Sequence, residues 1–316
     1  MQLRAETGPA VDVAGAAAPL AVARRARSLL PRNPWRHAWF LESFTWCYLA
    51  WSILPIALAV LFSFNNGKSQ SVWQGFSLRW YTSDPLNSVL HNPQLHQAVL
   101  QTLWLSLYTT LITVPLGVAF GIGIDRWHTR TSSAFNFVMI FSFVVPELIF
   151  GVALFFVFTA LFTSIHLGTL AEVLGLVTWN LSWPAIIVRA RLVSIGRQYE
   201  EAAADLGASR LEAVRRVLLP MLMPAIFASA VLVFATVVDD FVIVDLLSST
   251  GNTQPMSVII YSNTHGGNGG PALNALATLM LLFSFVVAAL GYAGYRWMTR
   301  GERVGRQETL TSIAGM

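Results

Sequence analysis

The chain has 316 residues, of which 55% are hydrophobic and 11% charged, with a formal net charge of +4. A water-soluble globule carries about twice that share of charge, so the composition excludes a soluble enzyme, a disordered chain and a collagen-like one. A mean hydropathy of +0.58 and apolar runs near twenty residues place the chain among multi-span membrane proteins; the single cysteine, Cys47, excludes an intrachain disulfide and a cysteine-based zinc site.

Residues 1–43 read as a cytoplasmic, arginine-rich extension. They contain no apolar core ending in a small-residue cleavage site, so a secretory signal is not expected, and Arg24-Arg25 reads as a cytoplasmic flank. Six spans follow, at 44–64, 98–124, 134–162, 170–190, 221–247 and 273–295, and residues 299–316 form a tail. The segment from Asn65 to Gln97 carries Gly67, Gly75, Pro85 and Pro93 and is too polar to insert. Like the Gly- and Asn-rich stretch from Ser248 to Pro271, it reads as a loop with at most one short helix. Along the second span, Thr102, Ser106, Thr109 and Thr113 make a narrow polar stripe suited to close helix packing.

Glu147 follows Pro146 near the middle of the third span, where proline removes a backbone hydrogen bond. It either contacts cargo or holds helices together. In the fourth span Trp179 and Trp183 stand at i and i+4 around Asn180, as packing residues or as a ring face for an organic cation. In the fifth, Asp239 and Asp240 fall roughly 27 to 29 Å along a continuous helix from Met221, with Thr236 one turn before them. Adjacent helical carboxylates diverge by about 100 degrees, so one is expected to line a route and the other to bond a neighbouring element. Asp245 reads as a solvated end. Carboxylates inside hydrocarbon are costly and mark function by default.

Between spans four and five lies the long loop 192–220. It reads as two short helices joined at Gly207, which sits where a left-handed residue ends the first. Ser209 and Glu212 have capping-box spacing at the start of the second. Leu211, Val214 and Leu218 share one face of it, opposite Arg210 and Arg215-Arg216, and Pro220 is expected to stop the helix before span five. This amphipathic pair suits a partner's groove.

Of the 20 Lys and Arg, only Lys68 and Arg79 fall on the side of the loops 65–97 and 248–271. Retention of basic residues on the cytoplasmic side then places both termini inside with an even number of spans. Trp35, Trp39, Trp80, Tyr81, Trp127, Tyr292, Tyr295 and Trp297 lie near span ends, where rings anchor at headgroups. No Lys or Arg lies in the inner part of a span, so the acids and rings suit a cationic cargo rather than an anionic one. The net charge mostly reflects orientation, and no nucleic-acid partner is expected.

Glu201-Ala202-Ala203, three residues, Gly207, nine residues, then Val217-x-Leu219-Pro220 resembles the coupling loop of permease subunits of binding-protein-dependent type I ABC importers, departing only by valine for isoleucine. Val233 to Ile243, Pro255-Met256, Ile260-Tyr261-Ser262, Asn274 to Thr278, Trp73 to Phe76 and Trp80-Tyr81 look like the spermidine/putrescine permease branch. The likeness covers roughly residues 40 to 298. Glu147 stands where an aspartate is common, and Gln254 where a leucine is. The resemblance implies an all-α six-span permease domain over 44–298. In it, Glu201, Ala202, Ala203, Gly207, Val217, Leu219 and Pro220 couple to an ATPase subunit. The implied partners are a second permease, two copies of the cytoplasmic ATPase, an extracytoplasmic substrate-binding protein and the inner membrane itself.

No phosphate-binding loop occurs, so this chain is expected to bind no cofactor or metal and to catalyse nothing, with ATP and Mg2+ on the ATPase subunits. Related importers carry iron(III), thiamine or phosphonates, which stay as alternative cargoes. An intramembrane enzyme is disfavoured. His91, His96, His128 and His166 make no catalytic or metal spacing, and Glu42, Glu172 and the tail acids read as solvated. A self-sufficient secondary transporter would show an internal repeat of broken spans, and none is found.

Overall fold

The computed structural model describes residues 39–69, 72–126, 130–249, 253–266 and 270–298. The N-terminal extension up to residue 38, the 299–316 tail, Trp35, Trp127, His128 and the arginines before Trp39 and after Met298 lie outside them. The chain divides into two compact units, one ending at Ile56 and the other beginning at Ala57. In the first, helix α1 (Trp39–Ser63) starts, and its residues up to Ile56 are all exposed. With 25 residues it measures about 37 Å, enough to cross a hydrocarbon layer of about 30 Å.

The second unit is built on α2 (Pro93–Arg126). Its stripe of small residues lets α5 (Thr169–Asn180), α6 (Ser182–Ile195) and α9 (Leu219–Asp239) approach. Leu105, Val114 and Val118 of α2 interlock with Leu176 of α5, Val188 and Leu192 of α6, and Leu222, Val233 and Val237 of α9. At Gly121 a Cβ would stand 2.8 Å from the Ala185 carbonyl oxygen, so only glycine admits this spacing. Thr102, Ser106, Thr109 and Thr113 are all buried, as packing positions. Thr102 also accepts the Met256 N–H at 2.9 Å, tying in α11 (Met256–His265). The final helix, α12 (Pro271–Met298), lies against α9.

Among the described residues five helices are long and apolar enough to cross a membrane: α1, α2, α5 with α6, the run Arg210–Asp239, and α12. The stretch expected as a continuous third span is instead two helices, α3 (Arg130–Val144) and α4 (Glu147–Phe156), the latter extended to Leu161 by a wider turn. They bend by 109° at Val145-Pro146. Pro146 donates no hydrogen bond and drives the residue before it out of the helical region, so the helix ends there rather than kinking.

Three other expectations are corrected. Span five is not continuous to residue 247: α9 ends at Asp239, Asp240 is extended, and α10 (Val242–Leu247) starts afresh. Pro220 does not stop a helix. The turn Val214–Leu218 is widened to i→i+5 spacing just before it, so the helix passes from Arg210 to Asp239 with the proline in its next turn. Trp80 is no headgroup anchor but 3% exposed, in a second core with Leu95, Met256, Ile259, Leu273 and Leu276, its indole N–H donating to the Asn65 carbonyl at 2.6 Å.

Candidate functional site

The two breaks face one another. Asp240, released from helical geometry (φ −62°, ψ 128°), accepts the Ile243 N–H on Oδ1 at 3.2 Å and so starts the first turn of α10. Ser257 holds its carbonyl at 2.7 Å. Pro146 likewise leaves Glu147 as the first residue of α4, which packs on α10. The two carboxyls come within reach of each other on the wall of one cavity of about 530 Å³.

Trp179, Trp183, Thr236 and Asp239 line the same cavity. All six residues singled out along the sequence as pathway candidates therefore meet in one space, although they come from four helices and the break after α9. The tryptophans are seated by partners that sequence spacing does not reveal: Trp179 on Phe150 of α4 (ring centroids 5.1 Å), Trp183 edge-on to Phe143 of α3 (4.9 Å). Thr236 faces Asn180 Oδ1 at 3.1 Å, bridging α9 to α5. Asp239 is exposed and its carboxyl makes no hydrogen bond among the described residues, whereas Asp240 is buried. Both acids line the cavity, and Asp240 in addition bonds the start of α10, with a break in place of the expected shared helix setting the two apart. Among the described residues no Lys or Arg lines this cavity. The arrangement suits a positively charged, partly apolar guest, each cation finding a carboxylate or a ring face.

At the Arg126 end of α2 stands the loop 192–220. Helix α7 (Gln198–Asp205) ends as expected, with Gly207 at φ +85°. Ala208 N–H bonds to the Ala203 carbonyl and Gly207 N–H to that of Ala204, the paired closure that needs a left-handed residue. Ser209 and Glu212 complete the capping box that starts α8 (Arg210–Ala213). Glu201, Ala202 and Gly207 are exposed, Ala203 and Val217 are half-buried, and Leu219 and Pro220 are exposed at the head of α9. The expected apolar face does not hold together. Leu218 is fully buried in the bundle while Leu211 is 77% exposed, because the widened turn between them shifts the register of the helix face. Leu206 is 91% exposed beside Gly207, so α7 and α8 present an uncovered apolar pair. A link absent from the sequence reading anchors the loop: Arg126, at the end of α2, grips Glu200 (Nη2 to Oε1 2.6 Å) and the Gly196 carbonyl.

Glu172, expected to be solvated, is fully buried near the start of α5, where Gln101 donates to its Oε2 at 2.8 Å and to Thr169 at 2.8 Å. The packing of α5 on α2 puts it there, and the only hint along the sequence is a lone acid and a lone amide each one turn inside an apolar run.

These features together, a polar cavity between broken helices and an exposed helical loop at the foot of the bundle, define a multi-pass membrane transport component. Residues 113–304 match the family of binding-protein-dependent transport system inner membrane components, and the chain belongs to it. It is 32% identical over 277 residues to the putrescine transport system permease protein PotI of Escherichia coli strain K12, covering 86% of this chain and 93% of that one. It is 27% identical over 252 residues to the spermidine/putrescine transport system permease protein PotC of the same strain, covering 80% and 92%. Its fold is similar to a chain of a bacterial ABC transporter that imports the acidic polysaccharide alginate, with a TM-score of 0.65 at 15% identity, covering 83% of this chain and 96% of that one.

Proposed function

We propose that the chain is the permease subunit of an ATP-driven importer that passes a polyamine, putrescine or spermidine, across the inner membrane. The observation that carries this reading is the cavity in which Glu147, Asp239 and Asp240 converge with Trp179 and Trp183, and which no Lys or Arg lines among the described residues. A diamine exchanges its water for carboxylates and ring faces there, whereas a phosphonate would meet only repulsion. The curated relatives with putrescine and spermidine in their names support the same cargo.

In this reading the chain hydrolyses nothing and binds no cofactor or metal. ATP and Mg2+ reside on two ATPase subunits, and the exposed faces of Glu201, Ala202, Gly207, Leu206 and Leu211 dock on one of them. Val217, Leu219 and Pro220 connect that contact to α9 and so to Asp239 and Asp240. A second permease completes the pathway, an extracytoplasmic binding protein delivers the cargo, and both termini are cytoplasmic.

The test is uptake by the complete transporter in proteoliposomes. Spermidine or putrescine should stimulate ATP hydrolysis where iron(III) and thiamine do not, and Asp240→Asn should lower polyamine uptake at limiting substrate while the complex still assembles. Stimulation by iron(III) or thiamine alone would reassign the cargo. Accumulation by this chain alone, without ATP, would overturn the subunit reading.

A further inference from the structure

A second cavity, of about 710 Å³, lies on the other side of Asp239. Asp239 and Phe241 line both spaces, so the two meet at the break between α9 and α10. One part of the second cavity's wall is an aromatic series. The Tyr261 ring, on α11, lies 4.3 Å from that of Phe241 and 4.0 Å from that of His265, centroid to centroid, with planes inclined by 41° and 32°. Tyr261 is 46% exposed, which leaves part of its ring open to a guest. Local hydrogen bonds hold the series in place: Ser257 to the Asp240 carbonyl at 2.7 Å, and a His265 Nδ1 contact with the Tyr261 carbonyl at 3.1 Å. Among the described residues no Lys or Arg lines this cavity either.

An ammonium group is stabilised over an aromatic face and beside a carboxylate, and gains most where water is partly excluded. The first cavity offers that environment through Asp240, Glu147 and the two tryptophans; the second repeats it with different residues, and Asp239 stands where they join. We propose that Tyr261, with Phe241 and the shared Asp239, forms a second ammonium subsite, so that the permease holds a linear diamine by both ends, one in each cavity. The inference rests on the polyamine reading above. It assigns specificity for the number of charges to Tyr261, a residue outside the acids and tryptophans of the first cavity.

The guests that discriminate are putrescine and n-butylamine, which share a four-carbon chain and differ by one ammonium. Binding of each is measured on the complete transporter in nanodiscs, with Tyr261→Leu and Tyr261→Phe beside the parent and thermal melting as the check on folding. The parent should bind putrescine more tightly. Tyr261→Leu should weaken putrescine about five- to twentyfold, the worth of one partly desolvated cation–ring contact, and leave n-butylamine within about twofold. Tyr261→Phe should keep the preference because it keeps the ring. If Tyr261→Leu melts like the parent and retains the parent's preference, or weakens both amines equally, the second subsite is wrong while the polyamine reading stands. If Tyr261→Leu does not fold, Tyr261→Phe with an added Asp239→Asn decides, since the subsite requires that pair to lose putrescine selectivity. If the parent binds neither amine, the polyamine reading and the subsite fall together.

Discussion

Asp239 and Asp240 are neighbours with opposite surroundings, one exposed between two cavities and the other buried and bonded to the Ile243 N–H. Replacing each by asparagine separates the roles. Asp240→Asn keeps an acceptor for that N–H and should lower transport with little loss of stability, whereas Asp240→Ala should also lower the melting temperature, because a helix start left without its acceptor costs about 1 kcal/mol. Asp84, in the loop between α1 and α2, makes a different prediction. The Asn87 N–H, the Arg79 side chain and the Leu86 N–H hold its carboxyl at about 2, below the ordinary 3.8. The folded value being the lower one, the ionised group stabilises the loop above about pH 4 and loses that contribution as pH falls toward 2. The protection of the Leu86 and Asn87 amides, taken relative to their unfolded-chain exchange rates, should therefore fall across that interval, and in Asp84→Ala it should be low at neutral pH as well.

At the scale of elements, two interruptions matter most. The bend at Val145-Pro146 turns Glu147 into the first residue of a new helix facing Asp240. Pro146→Ala restores a backbone donor and permits helix through the break; the expected outcome is a chain that inserts normally but loses most polyamine uptake, followed by filter assay. The second interruption is Gly207. At φ +85°, with nothing within 4 Å of a built Cβ, the position resists side chains through backbone strain alone and not through crowding. Gly207→Val should shift or fray the junction of α7 and α8, lowering uptake per ATP hydrolysed, while Gly207→Asn, which tolerates the left-handed region, should retain more of it. Unchanged coupling in Gly207→Val would deny the loop its role.

For the bundle of the second unit, α2 is the element against which the others are measured. Its small and hydroxylic face lets α5, α6 and α9 come close, and it carries Gln101, which bonds buried Glu172, and Arg126, which holds α7 through Glu200. Gly121→Val would push a side chain against the Ala185 carbonyl and should destabilise the packing of α2 on α6 by about 1–3 kcal/mol, seen as a lower melting temperature in detergent. Arg126→Ala should leave that melting temperature nearly unchanged and instead release α7, visible as faster amide exchange confined to residues 196–208. The contrast tests whether the loop is a separately anchored element or an extension of the core.

Much of this was legible along the chain because the bilayer imposes simple rules. Apolar length marks spans, and Gly207 with the Ser209–Glu212 spacing marks a turn whose hydrogen bonds are local, so both could be read without knowing any neighbour. The six pathway residues could be chosen for their chemistry, since polar groups in hydrocarbon stand out. Their convergence could not. It depends on where α3 and α9 break: a proline expected only to remove one backbone hydrogen bond inside a continuous span stands instead at a 109° bend, beyond which α4 packs on α10. For the same reason Glu172 and Trp80 are buried against expectation, and Tyr261 belongs to a cavity beside Asp239. Burial and juxtaposition are properties of pairs of helices, and hydropathy along one chain carries no record of which faces meet.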